Sequence, residues 1–144
     1  MSRRWLAVGL SVTLLGCFGP SSDEVARARS PGGSLEAVVI ETNGGATTSF
    51  GYEIYVVPAG SAVRKGRRVA SLYGAVRNQH AYGVNLRWLT PDSLNVEYLR
   101  AKSAKLEGPF PFELANQSVS VGLAEGVDDP SAPSGGMLYN PKHE

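Results

Sequence analysis

The chain has 144 residues, with 14 Lys and Arg against 13 Asp and Glu and a net charge of +1. That length is enough for one domain with a sizeable core. The near-neutral balance argues against a nucleic-acid partner held by global electrostatics.

Arg3 and Arg4 open the chain, an apolar run fills 5–15, and from Gly19 to Glu24 the sequence turns small and polar. A basic start, an apolar middle and a small-residue cleavage site are the layout of a secretory signal peptide, here 1–16. The apolar run has 11 residues. At ~1.5 Å per residue it covers about half of a ~30 Å hydrocarbon core, too little to span it. Leu14-Leu15-Gly16-Cys17 resembles the lipobox of bacterial lipoproteins, whose cysteine becomes the lipid-carrying first residue of the mature chain. The resemblance implies that Cys17 is lipidated and that the protein is anchored to a membrane of the cell envelope. A single cysteine cannot make an internal disulfide, and a lone thiol in an exported chain is a reactive liability that lipidation removes. The competing reading is a leader cysteine with no special fate. Phe18 stands where lipoproteins kept in the inner membrane of many Gram-negative bacteria carry aspartate. This favours the outer membrane in a host that has one.

Residues 17–29 read as a flexible, lipidated tether, because they carry Pro20, two serines and scattered charge without apolar periodicity. The β domain is expected over 30–125. Ser30-Pro31-Gly32-Gly33 is a turn by composition. The apolar run within 35–42 is short and β-branched, as in a buried strand. Asn43-Gly44-Gly45 breaks it. Residues 50–57 alternate Phe50, Tyr52, Ile54 and Val56 with Gly51, Glu53, Tyr55 and Val57, the period of a half-buried strand. Another strand follows at 69–73, and 74–83 reads as a polar loop. Residues 84–88 and 94–98 alternate on either side of Thr90-Pro91-Asp92-Ser93, a turn with proline at its favoured second position. A weaker hairpin pairs 112–114 with 118–123. The segment 126–144, rich in Asp, Gly and Pro, reads as a disordered tail. The expectation is all-β: a small antiparallel sandwich or curled sheet of about six or seven strands.

Ser30-Pro31-Gly32-Gly33, the apolar strand at 37–40, Gly45-Ala46-Thr47-Thr48 and Trp88-Leu89-Thr90-Pro91 together carry a resemblance over residues 30–100. They resemble a family of small uncharacterised bacterial proteins, many of them predicted lipoproteins. Gly32 stands where that family usually has aspartate and Gly44 where it has cysteine, so no redox or metal role transfers. The resemblance implies a shared fold and no particular activity.

Three features are candidates for chemistry. Thr47, Thr48 and Ser49 follow a glycine turn and offer three hydroxyls to a sugar or anion, or else the threonines satisfy backbone groups where the turn meets a strand. Arg64, Lys65, Arg67 and Arg68 surround one glycine. They suit an anionic headgroup or an acidic partner, or simply form a solvated loop. His80, with Tyr82 nearby, lies in the polar loop and is a candidate ligand contact or a plain surface residue. A metal site would need further ligands, and the other histidine, His143, lies in the tail. Tyr52, Tyr55, Tyr73, Tyr98 and Trp88 fall at strand spacing and read as core rather than as a carbohydrate platform. No phosphate-cradling loop or nucleophile elbow occurs, and no cofactor is implied. The sequence therefore points to a non-catalytic, lipid-anchored module that binds an envelope protein or polymer. The alternatives are a structural lipoprotein without a ligand and a hydrolase using a Ser or Thr with His80.

Overall fold

The structure, a computed structural model, describes residues 20–132. Side chains that alternate along a strand gather the apolar ones on one face, and two such faces bury each other. Eleven strands are formed among the described residues: β1 (Ser21–Arg29), β2 (Leu35–Asn43), β3 (Gly51–Pro58), β4 (Arg67–Tyr73), β5 (Arg77–Asn78), β6 (Ala81–Tyr82), β7 (Asn85–Thr90), β8 (Ser93–Tyr98), β9 (Ser103–Leu106), β10 (Phe112–Leu114) and β11 (Gln117–Glu125). One sheet runs β1-β2-β3-β4-β9, the second runs β10-β11-β8-β7, and β5 and β6 make a small ribbon. The fold is all-β, and neither large sheet closes into a barrel. Leu35, Ala37, Val39, Ile54 and Val56 of the first sheet share a core with Leu94, Val96, Val119 and Val121 of the second. Each buried Val, Leu or Ile contributes about 1.5–3 kcal/mol relative to exposure.

Three expectations are corrected. First, residues 21–29 are not a tether but β1, paired antiparallel with β2. The strand lacks apolar periodicity because it is the edge of its sheet, with Ser22, Asp23 and Arg27 exposed. A bulge between Glu24 and Ala26 makes Val25 the extra residue, and its side chain packs against the core. Trp88 Nε1 donates to the Ala28 carbonyl at 3.0 Å and ties β1 to the second sheet. Cys17, Phe18 and Gly19 lie outside the described residues.

Second, 126–132 are not part of a disordered tail. The Gly126 N–H donates to the Leu99 carbonyl at 3.1 Å, and the Asp129 N–H to the His80 carbonyl at 2.8 Å. Asp129 is buried, and its carboxylate accepts from the Ser131 N–H at 2.9 Å and the Ser131 hydroxyl at 2.6 Å. Short polar side chains satisfy this segment without apolar content. Residues 133–144, His143 included, lie outside the described residues.

Third, the second sheet is mixed rather than purely antiparallel. β11 pairs parallel with β8, from Ser120 opposite Ser93 to Glu125 opposite Tyr98. A parallel pair needs a long crossover. Residues 99–116 provide it, running through β9 in the other sheet before β10. The strand count exceeds six or seven because β1, β5, β6 and β9 are short or mostly exposed and leave little apolar pattern.

Ser22, Thr42, Gly51, Tyr73 and Ser103 are paired in one rung across all five strands of the first sheet. This rung marks the end of the sandwich that carries connections 44–50, 74–84 and 99–102, together with segment 126–132. At the opposite end the chain reverses at 30–34, 59–66, 91–92, 107–111 and 115–116.

Candidate functional site

The connection after β2 is built from its polar side chains. Asn43 Oδ1 accepts from the Gly45 N–H at 2.9 Å. The Thr48 N–H and its hydroxyl both donate to the Gly45 carbonyl, each at 3.1 Å. Thr48 therefore closes the turn, while Thr47 stands exposed beside it.

The next residue, Ser49, joins three elements. Its N–H donates to the Tyr73 hydroxyl at 3.0 Å, and Lys102 Nζ donates to Ser49 Oγ at 2.7 Å. Lys102 reaches Ser49 because its aliphatic stem lies across Gly74. A Cβ there would strike the stem, and φ at Gly74 is +63°. The Ser49 N–H draws the Tyr73 phenol below its usual range, helped by the Ser49 hydroxyl and the Lys102 charge. Lys102 Nζ lies 5.7 Å from the centre of the Tyr73 ring. Tyr73 was expected in the core and is instead 40% exposed, because at the end of β4 its side chain has left the apolar face. Tyr52 and Tyr98 are buried as expected, with Trp88 and Tyr55 half-buried.

These groups flank a shallow depression of about 290 Å³ lined by Pro20, Thr42, Asn43, Thr48, Ser49 and Tyr73. A second depression of about 290 Å³ opens at the same end beside Val76, Asn78, Leu99 and Arg100. Hydroxyls, an ammonium and exposed turn backbone can hold a polar or anionic group by hydrogen bonds. Catalysis is less well served, since an ammonium that donates to Ser49 Oγ is not acting as its base.

Tyr82 has a different role from the one expected. Its hydroxyl accepts from Arg77 Nη2 at 2.7 Å. The Arg77 guanidinium is stacked 3.9 Å from the Phe50 ring centre and 4.7 Å from that of Tyr82. Arg77 Nη1 lies 3.6 Å from Glu41 Oε2, with the two side chains only 9% and 14% exposed. Tyr52 is buried in the same region, and burial pushes its phenol well above the usual range. This cluster fastens the β5–β6 ribbon to β2 and β3, so Tyr82 is structural. His80, at the tip of the ribbon, is exposed. Its ring lies 3.2 Å from Gln79 Nε2 and 3.7 Å from the Asp128 carboxylate, neither of them the Ser or Thr hydroxyl that a His80-based hydrolase would activate.

Arg64, Lys65, Arg67 and Arg68 do not form one basic patch, and they lie at the opposite end. Arg67 stacks over Phe112 at 4.6 Å. Arg68 donates to Glu53 and to Glu107, each at 2.8 Å. Arg64 and Lys65 stay exposed in the 3-10 turn Val63–Lys65, without an ion-pair partner among the described residues. Strand alternation is the reason: once 67–73 is a strand, Arg67 and Arg68 must point to opposite faces.

From the sequence Ser49 stands out only as a hydroxyl beside Thr47 and Thr48, Tyr73 only as a core residue, and Lys102 not at all. Their meeting depends on β4 pairing with β9 across a long separation, for which no local pattern exists. Among the described residues no group of three or more His, Cys, Asp or Glu side chains could hold a metal ion, and no helix is long and apolar enough to cross a membrane. Comparison with protein-family models, with curated proteins and with solved structures found nothing that matches this chain.

Proposed function

We propose that this protein is a lipid-anchored module of the cell envelope, held through Cys17, that acts by binding rather than by catalysis. In a Gram-negative host its site is the outer membrane. The contact surface is the end of the sandwich that carries connections 44–50, 74–84 and 99–102, and the partner is an envelope protein or polymer. The observation that supports this most is the pair of depressions at that end, one of them flanked by Thr48, Ser49, Tyr73 and Lys102. The lipobox-like Leu14-Leu15-Gly16-Cys17 supports the anchor.

Intact-mass analysis of the chain recovered from membranes tests the anchor. The expected mass begins at Cys17 and includes acyl chains, and the Cys17→Ser chain lacks them. An unprocessed precursor would contradict the reading. A photocrosslinking residue at the exposed Asn78, beside the second depression, tests the contact surface: it should trap an envelope protein or polymer that the same residue at Ala115 does not. Equal trapping at both positions would remove the loop-bearing end from its role.

A further inference from the structure

We infer that the surface this module turns toward its own membrane is the end bearing Thr47, Tyr73 and Lys102, and that it docks there on lipid headgroups. The inference rests on lipidation at Cys17 and divides the proposed contact end: the side around Thr47, Tyr73 and Lys102 meets headgroups, and the depression beside Val76, Asn78, Leu99 and Arg100 is left to the protein or polymer. Only residues 18–20 separate Cys17 from the first residue of β1, Ser21. Four residue steps span at most ~14 Å even when fully extended. Ser21 is not free to wander, because Ser21 and Ser22 are already paired with Asn43 and Thr42 of β2. The lipid therefore holds one particular end of the sandwich within ~14 Å of the bilayer surface.

That end is the one whose rung includes Thr42, Gly51, Tyr73 and Ser103. Tyr73, three strands from β1, lies about 14 Å along the rung at ~4.8 Å per strand, close enough to reach the same surface. Its ring is 40% exposed and has the Lys102 ammonium beside it. A tyrosine with a wet hydroxyl and a lysine with an apolar stem are side chains suited to the headgroup layer.

In the end-on orientation the far end stays away from the bilayer. β3 runs from Gly51 to Pro58, its eight residues covering about 23 Å. Arg64 and Lys65 follow beyond Pro58. Their charges sit well past the ~8 Å over which fields persist at physiological ionic strength. The exposed cations that looked suited to headgroups therefore face away from the membrane that holds the lipid.

The test uses the full lipidated chain in vesicles of phosphatidylethanolamine and phosphatidylglycerol. Cys17 is consumed as a thioether, so one introduced thiol is the single labelling site. Separate chains carry Thr47→Cys, Ala26→Cys and Lys65→Cys, all at exposed positions, each bearing a fluorophore. A collisional quencher is carried on the lipid headgroups. Quenching should be several-fold stronger at 47 than at 65, with 26, midway along β1, in between. Lengthening the tether by about twenty Gly and Ser residues after Gly19, enough for an r.m.s. reach of ~25 Å, should shrink the difference. Tyr73→Ser with Lys102→Ser in that lengthened chain should abolish it, whereas a difference unchanged by the double substitution would overturn the headgroup contact. Equal quenching at 47 and 65 in the unlengthened chain would overturn the end-on orientation while leaving the anchor intact. Stronger quenching at 26 than at 47 would overturn it in favour of the β1 flank. A chain whose intact mass shows no acyl groups would overturn both the inference and the anchor.

Discussion

The two ends of the sandwich are built on different terms. At the end holding residues 30–34, 91–92 and 115–116 the reversals are short, and turns from the two sheets touch. Gly32 lies against Pro91, and the Ser34 hydroxyl donates to Gln117 at 2.9 Å. Ala115 and Asn116 take φ of 50° and 59°, the left-handed pair that matches strand twist in a two-residue hairpin. Such turns set register and have little room for anything else. The other end holds the longest connection, 74–84, and its polar side chains bond to backbone and to one another: Asn43 to the Gly45 N–H, Thr48 to the Gly45 carbonyl, Lys102 to Ser49, Arg77 to Tyr82, with the Ser49 N–H bonded to Tyr73. Register there is already fixed by the rungs, so these residues are free to form depressions and a contact surface.

The largest expected effect concerns whether the loop-bearing end is soft. Arg77→Ala removes one side of a mostly buried ion pair and should cost about 3 kcal/mol in chemical denaturation, since Glu41 is left without its partner. Adding Glu41→Gln should recover part of the loss. If Arg77→Ala costs nothing, the ribbon is not fastened as described. At the opposite end, Gly66→Ala should cost about 2 kcal/mol, because a Cβ there meets the Val56 carbonyl and the Val57 side chain. A neutral outcome would show that the turn end has slack.

A smaller effect is tied to pH. Glu36 is buried and accepts from Arg27 at 2.6 Å, from the Gly60 N–H at 3.1 Å and from Arg29 at 3.3 Å. The Arg27 bond, with the Gly60 N–H, holds its carboxyl below the usual range. A lowered folded-state value means the contribution is fully present above the unfolded-state value of about 4.3 and is lost as the pH falls through the folded one. Glu36→Gln should therefore cost about 1.5 kcal/mol at neutral pH and progressively less in acid. A constant difference between the two chains down to low pH would contradict the pairing. The smallest effect is Arg64→Ala with Lys65→Ala, expected to leave stability within about 0.5 kcal/mol. A larger loss would mean that these two cations are tied into the turn end.

Much of the fold was legible. β2, β3, the β7–β8 hairpin and the β10–β11 hairpin all sit where alternation and the turn residues Asn43-Gly44 and Pro91-Asp92 put them. β1 was not legible, because an edge strand facing solvent keeps the composition of a linker and its Val25 enters the core only through a bulge. β9 hid for the same reason, with only Ala104 packed against the core. The candidate site was half legible. Thr48 was picked out with two readings, a hydroxyl offered to a ligand or one that satisfies the backbone, and its hydroxyl bonds to the Gly45 carbonyl. Lys102 carried no local mark, because its partner Ser49 precedes it by 53 residues. The basic run divides: Arg64 and Lys65 stay in an exposed turn, while Arg67 and Arg68, on a strand, point to opposite faces with separate partners.

The difference between the ends matters for function because the chain enters the sandwich at the loop-bearing one, through β1. Amide hydrogen exchange over 21–29 in the purified chain tests this most directly. The amides of β1 that face β2 should be protected to a degree approaching those of β3. Exchange at the rate of an unstructured chain would contradict the account and return the segment to a tether, freeing either end to face the membrane.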